Sequence, residues 1–100
     1  MNRFFDELGE RWVAAGKRRS VEIEAPSLDA ELALELLELA RVAARTQERR
    51  FAPLACFTAG VAAERLRTAK SGVDDAAVAA FIQDVRRELE TEYPVPSSER

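Results

Sequence analysis

From Phe51 to Ala63 the chain reads FAPLACFTAGVAA, with no charged side chain anywhere in the run. That segment limits the fold more than any other. A helix that is apolar on every side is stable in water only when neighbours cover it, and the small residues Ala55, Ala59, Gly60, Ala62 and Ala63 let neighbouring helices approach closely. The run is well short of the ~20 residues that cross a bilayer, so burial inside a protein is the expectation. The pattern around it predicts an all-α fold: a four-helix, mostly antiparallel bundle with the third helix, Pro53 to about Lys70, at its centre.

The flanking segments supply amphipathic partners. Asn2 is a candidate N-cap for a first helix in which Phe4, Phe5, Leu8, Trp12 and Ala15 share a face by their three- and four-residue spacing. Gly16 reads as its end, followed by the cations Lys17, Arg18 and Arg19, which suit a helix C-terminus. A connector from Ser20 to Pro26 alternates Val21 and Ile23 with Glu22 and Glu24. Two apolar residues are too few for a sheet, so the connector is expected to lie over the bundle with Val21 and Ile23 tucked in.

Ser27 or Asp29 can cap the second helix. Its stripe is Leu28, Leu32, Leu36, Leu39 and Ala43, widened by Leu37, Ala40 and Ala44. Glu31, Glu35, Glu38, Arg41 and Arg45 form a solvated opposite face, acids first and bases last, as the macrodipole favours. Leu34 falls among those charges, either as an ordinary exposed leucine or as a partner contact. Gln47 to Phe51 reads as the turn, because Pro53 suits the first position of a helix and pushes Ala52 out of helical conformation. Ser71 with Asp74 approximates a capping box for a fourth helix whose buried stripe is Val78, Phe81, Ile82, Val85 and Leu89. The reading is a single helical domain over 1–93, with 94–100 as a disordered tail.

Composition narrows the chemistry. Fifteen basic residues stand against eighteen acidic, a net charge of -3, so nucleic-acid binding by a helix-turn-helix and anionic membrane binding are disfavoured. The chain has no His and a single Cys, Cys56. An internal disulfide is therefore excluded, and the commonest metal ligand and general base are absent. Asp6, Glu7 and Glu10 interrupt the N-terminus where a signal peptide would be apolar, and a cytoplasmic location fits these features. Cys56 reads as a small buried hydrophobe, since apolar burial slows thiol chemistry. No nucleophile elbow or phosphate loop is present, and no metal or cofactor is expected.

The most suggestive charges are Arg41, Arg45, Arg49 and Arg50, the first three spaced by four along one edge. With nearby helix termini they could hold a phosphate or carboxylate. Alternatively, Arg41 and Arg45 pair with Glu38 and Glu48 and solubilise that end. Arg65 lies in line with Leu54 and Val61 on the side of the third helix read as inward, where snorkelling near a helix end explains it.

The stretch Leu36 to Ala63, LLELARVAARTQERRFAPLACFTAGVAA, carries a family likeness in Leu39-Ala40-Arg41, Glu48-Arg49 and Ala52-Pro53-Leu54 followed by Phe57 and Gly60. It resembles a small actinobacterial-type helical domain family of unknown function, found alone or fused to proteins similar to molybdenum cofactor guanylyltransferase. The matching residues are packing and turn residues, so the resemblance implies a shared fold before any shared activity. That family has a His near the end of the second helix where this chain has Arg45, so no role for imidazole carries over. The functional expectation is a non-enzymatic interaction or accessory domain that binds another protein, either a second copy or a cofactor-related enzyme. Leu34, Arg41, Arg45, Arg49 and Arg50 are its candidate contacts. The alternative is a small anionic-ligand or nucleotide binder built on the arginine edge.

Overall fold

The computed structural model describes residues 3–94, and among these there are four helices and no strand. They are α1 (Arg3–Arg18), α2 (Ala30–Thr46), α3 (Phe51–Ala69) and α4 (Asp75–Glu92). The all-α class read from the sequence is the class observed. Asn2 and the tail from Val95 lie outside the described residues. The chain forms two compact units, one reaching from the N-terminus to Ala30 and the other beginning at Glu31.

In the first unit α1 does not stop at Gly16. It continues to Arg18 and reverses at Ser20, whose φ of 64° lies in the left-handed region. The Val21 N–H donates to the Gly16 carbonyl at 2.8 Å and the Ser20 N–H to the Lys17 carbonyl at 2.9 Å. These two bonds form a Schellman motif with serine where glycine is usual. Gly16 serves close approach instead of termination. The connector returns along α1, and a methyl group on Gly16 would stand 3.0 Å from the Val21 carbonyl oxygen, one on Gly9 2.8 Å from that of Pro26. The two glycines, seven residues apart and so on one helix face, form the track on which the connector lies. Val21 and Ile23 remain about half exposed, so the connector is fixed by backbone proximity more than by tucked side chains.

The second unit has a side-chain core. Leu39 of α2, Ala63 of α3, and Val78 and Ile82 of α4 are buried together, with Leu32, Leu36, Ala55, Ala59, Val73, Phe81 and Leu89 packed around them. α3 begins at Phe51, two residues before Pro53, and the Phe51 and Ala52 N–H groups donate to the carbonyls of Glu48 and Arg49 at 3.0 and 3.2 Å. Proline is tolerated there because N–H groups of the first turn have no partner within the helix. α4 is capped by Asp74, whose carboxylate accepts the Ala77 N–H at 2.9 Å, while Ser71 belongs to the preceding turn with Gly72 at φ 79°. Its buried face is Val78, Ala79 and Ile82, and Val85, expected inside, is about half exposed.

The expectation that α3 is enclosed is not met. Ala55, Ala59 and Ala63, spaced by four, turn toward the core, whereas Leu54 and Phe57 are 60% and 72% exposed and a methyl group on Gly60 would meet nothing within 4 Å. The small residues do let a neighbour, α4, come close, but along one face only. Absence of charge shows that a face could be buried; it does not supply the neighbour that would bury it.

Candidate functional site

The charged helix departs from expectation in the opposite sense. Glu35, assigned to a solvated face, has a side chain only 12% exposed and accepts from Arg86 Nε at 3.0 Å and from Gln83 Nε2 at 3.0 Å. Arg86, 13% exposed, also donates through Nη1 to Glu90 at 2.8 Å. Burial by itself would lower the Arg86 pKa, but the Glu35 hydrogen bond and the charges of Glu35, Glu90 and Glu38 outweigh it and hold the guanidinium above its ordinary value. The network ties α2 to α4. A signal for it was present in the sequence: Val78, Ile82 and Arg86 are spaced by four, as are Glu35 and Leu39, so each charged group continues a buried stripe.

The arginine edge is divided. Arg41 Nη2 donates to Glu38 at 2.6 Å and Arg50 Nε to Glu48 at 2.9 Å. Arg45 and Arg49 are exposed and take part in no ion pair among the described residues. Arg41 thus uses the acid expected of it, whereas Glu48 takes Arg50 instead of Arg45. Leu34 is 58% exposed, and Leu37, expected in the buried stripe, is 67% exposed one turn away. Leu37 misses the core because the α2 face that packs is centred on Leu39 and Val42.

Between α3 and α4 lies an open groove of about 550 Å³ lined by Phe57, Val61, Ala62, Arg65, Leu66 and Phe81, together with Thr58. Arg65, read as inward, is exposed and supplies the groove's only charge. Cys56 is half-buried, its Sγ 3.6 Å from the Leu36 carbonyl oxygen, and desolvation raises its pKa. A thiol that donates to a carbonyl and loses hydration on ionising is a poor nucleophile. Arg67 Nη2 donates to Asp75 at 2.6 Å, while its buried Nε has no partner. Among the described residues no group of three His, Cys, Asp or Glu side chains could hold a metal, and no helix is long and apolar enough to cross a membrane.

A helical domain with an apolar groove, a partly buried inter-helix ion pair and no assembled nucleophile, base or metal cluster among the described residues is the class these features define. Residues 6–96 match the family described as Domain of unknown function (DUF6457), and the chain belongs to that family. No curated protein and no solved structure matches it.

Proposed function

We propose that this chain is a non-enzymatic interaction domain that binds another protein. The observation that carries the reading is the exposed face of α3. Leu54 and Phe57 stand out of the uncharged first part of α3 beside a groove walled by Val61, Leu66 and Phe81. A projecting aromatic next to an apolar groove is the usual make-up of an interface hot spot, and contiguous apolar patches on soluble proteins mark interaction sites. The resemblance in Leu36 to Ala63 supports a partner among cofactor-related enzymes, such as proteins similar to molybdenum cofactor guanylyltransferase. A half-buried free thiol at Cys56 is in keeping with the reducing cytoplasm.

Affinity capture from native lysate with wild-type and Phe57→Glu baits tests the reading. A protein retained by the wild type and lost with the variant is the expected result. Identical capture by both, or none by either, would sink it. The anion-binding alternative has less support, because Arg41 and Arg50 are already engaged by Glu38 and Glu48. Thermal shift with a nucleotide panel addresses it: saturation at a hundred times Kd would add about 2.7 kcal/mol, and Arg45→Ala should abolish the gain.

A further inference from the structure

We propose that two copies of this chain pair through the exposed edge of α2, running antiparallel about a two-fold axis. This surface is separate from the α3 groove, so the two readings stand or fall independently. α2 comprises 17 residues, a rod about 25 Å long. Leu34 and Leu37 project from it at 58% and 67% exposure, one turn apart. Glu31 stands exposed before them and Arg45 exposed after them.

A two-fold interface must be complementary to itself, and the order of charges on this edge provides that. Set antiparallel, Glu31 of each copy faces Arg45 of the other, so both ends join opposite charges. The midpoint between positions 31 and 45 is 38, adjacent to Leu37, and the leucines of both copies therefore meet at the centre. A parallel arrangement would instead oppose Glu31 to Glu31 and Arg45 to Arg45. Near the axis the two Glu38 carboxylates approach each other, and each is neutralised within its own chain by Arg41 at 2.6 Å. The helix macrodipole accounts for acids first and bases last in any helix. It does not account for two bare leucines between them.

Light scattering and sedimentation equilibrium on the purified full chain test the pairing. The wild type should be a concentration-dependent dimer, and Leu37→Glu a monomer that melts where the wild type does once diluted below its dimerisation range, because the residue contributes little to the core and only the dimer's added stability is lost. Arg45→Glu and Glu31→Arg should each weaken self-association roughly tenfold, since two symmetry-related contacts change from attraction to repulsion. Mixed in equal amounts, those two variants should form a heterodimer as tight as the wild type, both end pairs again joining opposite charges. A monomeric wild type at its highest soluble concentration, a dimer indifferent to Leu37→Glu, or a mixture that associates no better than its components would each overturn the proposal.

Discussion

α2 and α3 invert the usual relation between charge and burial. α2 carries acids and bases along most of its length, yet it draws Glu35 under cover; α3 has no charge in its first thirteen positions, Phe51 to Ala63, yet it leaves Phe57 largely in water. The cause is geometric. Each helix has one face opposite its neighbours, and whatever lies within that arc is buried. Glu35 lies within it because it precedes Leu39 by four residues, and Phe57 lies outside it because the alanine stripe, not the aromatic, packs into the core cluster with side chains of α2 and α4. The partly buried charge is tolerated because Arg86 and Gln83 satisfy it, and fully desolvating a carboxylate without such partners costs several kcal/mol. The exposed aromatic has no such cover within the unit, and the interaction proposed for this chain rests on that.

The strongest way to break this comparison is at Arg86. Arg86→Met leaves the Glu35 carboxylate at 12% exposure with only Gln83 as donor, and should cost about 2 to 4 kcal/mol by urea denaturation, somewhat under the full range for a wholly buried pair. The double variant Glu35→Leu with Arg86→Met should recover most of that loss, since apolar replacements of a buried pair are often neutral. A loss below about 0.5 kcal/mol for the single variant would mean that the pair is solvated and the contrast with α3 is false.

Two substitutions sharpen the α3 side. Gly60→Ala should stabilise by about 0.5 to 1 kcal/mol, because alanine is the better helix former and a methyl group there meets nothing within 4 Å. In an enclosed helix the same methyl would overpack and destabilise, so the sign of the change decides between the two pictures. Phe57→Ala should change stability by no more than about 0.5 kcal/mol, as exposed sites do. A core phenylalanine would cost about 3 to 5 kcal/mol. Thermal melts of both variants read the outcome directly.

Much of the fold was legible in the sequence, and the misses share a cause. The α2 stripe through Leu32, Leu36 and Leu39 and the end of α4 before Tyr93 follow from periodicity and turn signals, which are local, whereas the pattern places the start of α4 one turn early, with Ser71 as the cap that Asp74 itself provides. What periodicity could not resolve was which arc of each helix would face a neighbour. Leu37 and Val85 sit at stripe edges and fell outside, whereas Glu35 and Arg86 sit at stripe edges and fell inside. Gly9 and Gly16 were illegible for another reason: their function is to let the returning connector approach α1, and nothing in a one-dimensional pattern reports a backbone lying 2.8 Å from a missing methyl. Of the candidate contacts, Arg41 was correctly linked to Glu38, while Leu34 gained a companion in Leu37 that a wide stripe had hidden.

The smallest effect lies where α2 and α3 touch, at Cys56, whose Sγ is 3.6 Å from the Leu36 carbonyl oxygen. Burial raises its pKa above the ordinary value of 9.0, so as pH rises through about 9 the unfolded thiol ionises before the folded one. The stability this shift contributes is fully present below that pH and is lost as pH climbs toward the folded value. The stability gap between wild type and Cys56→Ala, constant near neutral pH, should therefore move against the wild type above about pH 9. Alkylation of the folded protein should be slower than that of the denatured chain at the same pH, because only the thiolate reacts. A gap independent of pH, or a thiol as reactive folded as unfolded, would show that α3 does not hold Cys56 against α2, leaving the alanine stripe alone to define its inward face.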